Sequence, residues 1–214
     1  MDFVQAFTFP FQDQDWIKKL AITGLISLIP IVGWIAVLGW SLEVARRVIR
    51  SEAPVLPDWS NFGGNFSLGI KGTVISVVLS IPLIVLYLPV GVLPLLFDEN
   101  EVATVLTIVS ICTGCLALLY SLVVMFTLPA AFGQLAATDS LAEAFKVGRL
   151  LSLIRAAPAA HLIVILGLLV SGLVWPLGSI ACGIGVLFTL AYSLAADGHL
   201  YGQAHVQAAK AAGA

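Results

Sequence analysis

The chain has 214 residues, 60% of them hydrophobic and only 10% charged, with a formal net charge of −2 and a mean hydropathy of +1.05. A water-soluble domain carries roughly 25% Asp, Glu, Lys and Arg, so the composition excludes such a domain, a disordered chain, a nucleic-acid binder with a basic stripe and a collagen or coiled-coil rod. What remains is an all-α, polytopic integral membrane helical bundle, expected as a single membrane domain over residues 1–214.

In chain order, Phe3, Phe7, Phe9 and Phe11 suit a headgroup belt at the N-terminus. The first charge-free run, Leu20 to Leu42, is interrupted by Pro30-Ile31-Val32-Gly33, a turn signal that predicts a helical hairpin over roughly 16–50. Lys18 and Lys19 precede this run as in a signal peptide, but Asp2, Asp13 and Asp15 give an unusually long, acidic leader. Residues 51–71 read as a connector, with a turn at Pro54-Val55-Leu56-Pro57-Asp58 and then Trp59, Phe62, Phe66 and Ile70 at helical steps. Gly63, Gly64 and Gly69 weaken the helix there.

A second hairpin is predicted over roughly 72–128, turning near Leu88-Pro89-Val90-Gly91-Val92-Leu93-Pro94 and the acidic tip Asp98-Glu99-Asn100-Glu101. Cys112 and Cys115 share a helical face, but they lie in an apolar run with no further thiol or imidazole nearby, as core residues do. The connector 129–155 contains Ser140-Leu141-Ala142-Glu143, a capping box. Wound as a helix, it gathers Glu143, Lys146 and Arg149 opposite Leu141, Ala144, Phe145, Gly148 and Leu151, the pattern of an interfacial amphipathic helix. A third hairpin over roughly 156–206 carries Trp175-Pro176-Leu177-Gly178 and Cys182-Gly183-Ile184-Gly185.

An aromatic-Ser-Leu triplet recurs as Trp40-Ser41-Leu42, Tyr120-Ser121-Leu122 and Tyr192-Ser193-Leu194, consistent with a unit used three times. Three hairpins place every Lys and Arg on one side of the membrane, as the positive-inside rule requires, with both termini cytoplasmic. Six apolar helical segments are therefore expected. Five spans are the alternative, because the first hairpin is short and suits a re-entrant or tilted segment.

Asp15-Trp16-Ile17-Lys18-Lys19-Leu20, Ile29-Pro30-Ile31-Val32-Gly33, Gly39-Trp40, Arg46-Arg47-Val48-Ile49-Arg50 and Leu56-Pro57-Asp58-Trp59, with Thr127-Leu128-Pro129-Ala130 and Cys182-Gly183-Ile184-Gly185, form a pattern. It resembles a family of prokaryotic multi-pass membrane proteins, domain of unknown function 4013, over nearly the whole chain. The resemblance implies an inner-membrane location and supplies no catalytic or binding residues. A looser likeness of architecture is to the membrane domains attached to some glycerophosphodiester phosphodiesterases.

Asp197, His199 and His205 read as a solvated interfacial cap, since their spacing does not put all three on one helical face. His161 lies beside Pro158 and Arg155 near the boundary, where it reaches water or a headgroup. No buried acid suggests a pump, and there is no nucleotide-binding loop, Ser-His-Asp arrangement or His-Glu-x-x-His. No catalytic, cofactor-binding or metal-binding residues are assigned, and no cofactor is expected. Arg46, Arg47, Arg50, Lys146, Arg149 and Arg155 are candidate contacts to lipid headgroups. Trp16, Trp59, Phe62, Phe66 and Phe145 are candidate interfacial anchors. The expectation is a non-enzymatic multi-pass protein that organises membrane lipid, a membrane protein complex or copies of itself, with no nucleic acid. The alternative is a channel or carrier for a small neutral or lipidic solute; an enzyme acting on lipid would have to recruit His161, His199 and Asp197.

Overall fold

The computed structural model describes residues 1–96, 99–181 and 184–213. Asp98 of the acidic tip and Cys182-Gly183 of the last glycine motif lie outside the described residues. Among the described residues there is no strand, and the helices are α1 (Phe3–Thr8), α2 (Trp16–Ser27), α3 (Val32–Arg50), α4 (Phe62–Leu96), α5 (Glu99–Thr138), α6 (Leu141–Ala144), α7 (Val147–Ala156), α8 (Pro158–Leu177) and α9 (Ile184–Ala211).

The predicted turn at Pro30 separates α2 from α3. Ile31 adopts φ 62° there, a strained value for a β-branched residue. A Cβ on Gly33 would lie 2.0 Å from the Ile26 carbonyl oxygen, so only glycine lets α3 begin against the end of α2. At the other end of α3, Ser51 is left-handed, and the Glu52 amide donates to the Arg47 carbonyl at 2.9 Å. This closes the helix in a Schellman pattern, with Arg47 and Arg50 in its last turn.

Several predicted breaks are not breaks. The connector 51–71 becomes helical at Phe62, where the Asn61 side chain accepts from the Gly64 amide at 3.1 Å. From there α4 runs 35 residues through Pro82, Pro89 and Pro94. Each proline removes one backbone hydrogen bond, but in apolar surroundings a continuous helix is the form that satisfies the remaining amides. The second connector breaks instead. Ser140 does accept from the Glu143 amide, at 3.4 Å, yet helix stops at Phe145 and restarts at Val147. The break lets Phe145 pack against the core cluster while Leu150 and Leu153 of α7 are buried.

α9 is the central helix. It runs alongside α3 in the same sense: the Ser41 hydroxyl donates to the Leu194 carbonyl at 2.6 Å, Gly198 faces Ser41 and Gly202 faces Ala45. It runs antiparallel to α8, with the Ser193 hydroxyl on the Ser171 carbonyl and the Thr189 hydroxyl on the Trp175 carbonyl. α3 and α4 meet backbone to backbone, because Cβ atoms on Gly39 and Gly69 would lie 1.7 Å from the Asn65 oxygen and 1.9 Å from the Ile35 oxygen. Around these contacts Leu20, Trp40, Leu42, Leu56, Leu68, Ile75, Leu135 and Leu200 are fully buried.

Beyond Ile75, α4 has no buried residue. The stretch from Ser76 to Leu96 extends about 31 Å at 1.5 Å per residue. It pairs antiparallel with α5 through the Tyr120 hydroxyl on the Leu79 carbonyl, 2.9 Å, and the Thr113 hydroxyl toward the Leu86 carbonyl, 3.4 Å. Ile81, Ile84, Leu88, Ile108, Leu118 and Leu119 are all exposed on this two-helix arm.

Three helical stretches are long and apolar enough to cross a membrane: Phe62–Leu96, Ala103–Thr138 and Pro158–Ile180. This corrects the expected six spans, and equally the five. α2 has only 12 residues, about 18 Å against a core of about 30 Å. α3 carries Glu43, Arg46, Arg47 and Arg50, and α9 carries Asp197, His199 and Lys210, so neither reads as a lipid-exposed span.

Candidate functional site

The seven ion pairs among the described residues join the start of α2, the C-terminal turns of α3, the start of α4 and the segment from Asp139 to Lys146. Their centre is Asp139, the left-handed residue after α5 (φ 57°). Its carboxylate accepts from Arg46 Nη2 at 2.9 Å and Lys71 Nζ at 3.0 Å. Arg46 Nε also donates to the Ala136 carbonyl at 3.3 Å, and Lys71 Nζ to the Asp139 carbonyl at 2.9 Å. Two cations thus meet the negative end of the α5 dipole and tie together α3, α4 and α5. Partial burial pushes the Asp139 carboxyl up, but Lys71 and Arg46 outweigh it and hold the group below the usual carboxylate value. Asp58 is also held low, by hydrogen bonds from the Ser60 hydroxyl and amide.

The candidate headgroup contacts differ in availability. Arg46 is committed to Asp139 and Glu43. Arg47 donates to the Pro54 carbonyl at 2.8 Å; its Nε lies 3.5 Å from Glu43 but lacks hydrogen-bond geometry. Arg50 is half exposed beside Glu52 at 3.7 Å, and Lys146 pairs with Glu143 at 2.5 Å. Arg149 is partly exposed on α7 and Arg155 is exposed at its end.

All five candidate anchors belong to aromatic or core packing. Trp59 stacks on the fully buried Trp40 with ring centres 6.3 Å apart, and the series continues through Phe62 to Phe66. The Trp40 ring N–H donates to the Pro57 carbonyl and that of Trp59 to the Thr23 hydroxyl, each at 3.0 Å. Phe145 packs on the core of α4 and α5. Trp16, the fifth, is half-buried and meets Phe11 edge-on at 5.0 Å.

The triplet aromatics share one task. Trp40, Tyr120 and Tyr192 each donate to a carbonyl of another segment, those of Pro57, Leu79 and Phe7. Their serines do not: Ser41 and Ser193 reach another helix, whereas Ser121 bonds within its own.

The expected solvated cap of Asp197, His199 and His205 is instead built into the bundle. His199 is 3% exposed, and Asp197 Oδ1 and His205 Nδ1 are inaccessible and without a partner. The reason is that α9 is surrounded by other helices up to its final turns. His161 is likewise 3% exposed, with Nδ1 3.0 Å from the Ala157 carbonyl oxygen in the preceding turn. Against the expectation that no acid is buried, Asp197 is half-buried, with its Oδ1 inaccessible. Cys112 and Cys115 are exposed on the arm, so they are not core residues either.

A cavity of about 530 Å³ opens at the polar end between α1, the end of α3 and the end of α9. Asp2, Arg47, Glu52, His199, Gln203 and Lys210 are among its walls. The Asp2 amide donates to Gln203 Oε1 at 2.8 Å, which fixes the orientation of that carboxamide. Gln203 Nε2 then donates to the Asp2 carbonyl at 3.1 Å and to His199 Nδ1 at 3.1 Å. Nδ1 is therefore an acceptor, and neutral His199 carries its proton on Nε2. Phe9 stacks on the imidazole with centres 4.5 Å apart. Sequence reasoning missed Asp2 and Gln203. The four-residue step from His199 to Gln203 was legible, whereas the return of residue 2 to residue 203 was not.

No group of three or more His, Cys, Asp or Glu among the described residues is arranged to hold a metal ion. No curated protein and no solved structure matches the chain. A family model described as protein of unknown function (DUF4013) matches residues 22–191. The second half of α2, the glycine-packed α3–α4 crossing, the projecting arm, α8 and the first turns of α9 fall within that match, and the chain belongs to this family.

Proposed function

We propose that the protein is a non-enzymatic inner-membrane protein of prokaryotes that organises lipid around itself, alone or with a membrane protein complex. The α4–α5 hairpin and α8 enter the hydrocarbon, α9 returns within the bundle, and the polar end with both termini is cytoplasmic. The observation that carries this reading is the segregation of polar and apolar surface. The ion pairs collect around the ends of α3 and α5, whereas the α4–α5 arm and the outer face of α8 expose Leu, Ile and Val. The α2–α3 turn adds an exposed apolar tip of Leu28, Ile29, Ile31 and Trp34, a wedge too short to cross the bilayer and suited to one leaflet. Arg50, Lys146, Arg149 and Arg155, with Arg46 and Arg47 behind them, face anionic headgroups; Trp16, Trp59, Phe62, Phe66 and Phe145 mark the interface.

Reconstitution into vesicles of phosphatidylethanolamine and phosphatidylglycerol tests the proposal. Smaller vesicle diameters by electron microscopy, or enrichment of anionic lipid around labelled protein, is the expected result. Unchanged vesicles, random lipid neighbours and no co-purifying membrane protein would overturn it.

A second reading, a carrier for a small neutral or lipidic solute, is favoured by one observation. Ser41, Ser171 and Ser193 are buried where α3, α8 and α9 meet, with the half-buried Asp197 one turn further along α9, and neither the Ser171 hydroxyl nor Asp197 Oδ1 makes a well-formed hydrogen bond among the described residues. Solute flux into liposomes that is lost in Asp197→Asn would select this reading over the first.

A further inference from the structure

The cavity at the polar end combines features that a generic headgroup surface lacks. It is a formed concavity within the size range of small-molecule sites. Its walls carry both signs of charge: Lys210, exposed on α9 and in no ion pair among the described residues, and Arg47 on one hand, Asp2 and Glu52 on the other. Lys210 stands at the end of α9 and Asp2 before α1, while the end of α3 contributes one group of each sign, Arg47 and, just after the helix, Glu52. Val48, Val55 and Val206 supply an apolar flank. Gln203 and His199 are locked by the return of Asp2, leaving a preorganised polar floor.

A simple anion would meet Asp2 and Glu52, and a simple cation would meet Lys210 and Arg47. A ligand with a phosphoryl group at one end and an ammonium at the other meets complementary charge at both. The apolar flank further suits a glycerol backbone with the first carbons of its acyl chains.

We propose that this cavity binds the headgroup of a zwitterionic aminophospholipid, with Lys210 and Arg47 toward the phosphoryl oxygens and Glu52 and Asp2 toward the ammonium. The proposal rests on the lipid-organising reading above and gives it a headgroup preference. α1 is one wall of the site, held by the Asp2–Gln203 pair and by the Tyr192 hydroxyl on the Phe7 carbonyl.

The test is a titration of full-length protein in a neutral detergent with three probes: dihexanoyl phosphatidylethanolamine, dihexanoyl phosphatidylglycerol and glycerophosphoethanolamine. Binding is read by calorimetry and by the side-chain 15N shifts of His199. The ethanolamine lipid is expected to bind about tenfold more tightly than the glycerol lipid, the worth of one charge-assisted contact. Glu52→Gln removes that preference, and Lys210→Gln weakens both lipids by about the same factor; both residues are exposed, so the fold is retained. Equal binding of the two lipids, or a preference that survives Glu52→Gln, overturns the proposal. Equal affinity for the acyl-free headgroup overturns its assignment to a lipid. Vesicle remodelling measured on the same variants separates the two ideas, since remodelling that persists without headgroup preference leaves the broader reading standing and removes this one.

Discussion

The bundle around α9 and the arm formed by α4 and α5 are made of similar residues and are held together differently. In the bundle, helices touch through backbone: Gly39 against Asn65, Gly69 against Ile35 and Gly198 against Ser41. In the arm, a Cβ on Gly91 or Gly114 would meet nothing within 4 Å, and the sequestered positions of the facing stretch of α5 are Thr113 and Ala117. Glycine spacing is thus a packing device in one region and incidental in the other. The bundle has an interior of its own, whereas the arm relies on its surroundings to cover its apolar flanks. In lipid those flanks cost nothing to expose, and intrahelical hydrogen bonds satisfy the backbone.

The largest expected effect breaks the bundle. Gly39→Val or Gly198→Val forces a side chain into a facing carbonyl, and a loss of at least about 3 kcal/mol is expected, read as aggregation or a collapsed melting transition in detergent. Gly91→Ala and Gly114→Ala, by contrast, should leave the transition within about 1 kcal/mol of the parent. If the arm variants proved as damaging as the bundle variants, the contrast between the regions would be wrong.

Trp40→Ala comes next, at about 3–5 kcal/mol, because the indole is fully buried and its N–H is satisfied by Pro57. Trp175, 46% exposed on α8, should tolerate Leu with little change in the same melt. Third, Leu119→Arg at an exposed site of the arm should disfavour membrane insertion by about 3 kcal/mol, measured as the inserted fraction of nascent chains. Unaltered insertion would mean that the arm lies outside the hydrocarbon. Fourth, Tyr120→Phe removes the bond to Leu79 and should cost about 1 kcal/mol, loosening the arm while leaving the protease resistance of the bundle unchanged.

The smallest effect concerns Asp139. Its carboxyl in the folded protein is held below the ordinary carboxylate pKa, so its ionisation stabilises the fold above the ordinary value and the contribution fades as pH falls through the folded one. Thermal melts between about pH 5 and 2 should therefore be less pH-dependent in Asp139→Asn than in the parent. Equal slopes would show that Arg46 and Lys71 gain nothing from this carboxylate.

Much of the helical layout was legible because it depends on local chemistry. The Pro30 turn, the Ser140 cap and the apolar runs were each specified by neighbouring residues. The prolines of α4 were misleading, since a proline that ends a helix in water leaves it continuous where no other partner exists for the backbone. Small residues four apart look alike in the sequence, as in Ala191 and Ala195 or Ser110 and Gly114, yet Ala191 and Ala195 are buried at 1% and 0% whereas Gly114 faces open space. Nothing within either motif distinguishes them, because the difference lies in which helix stands opposite.

By itself, the amino-acid sequence determined that this is an apolar, helical membrane chain and where its charges cluster, but it overstated the number of helices able to cross a membrane, six against three. It could do the former because hydropathy and helix length are sums over neighbouring residues. Only the tertiary structure decided that Arg46 and Lys71 converge on Asp139, that His161 and His199 are buried, and that residue 2 returns to residue 203 to wall a cavity. Those outcomes depend on which helix faces which. In a chain with so few charges, that choice is made by backbone contacts at Gly39, Gly69 and Gly198, whose partners lie far away in sequence.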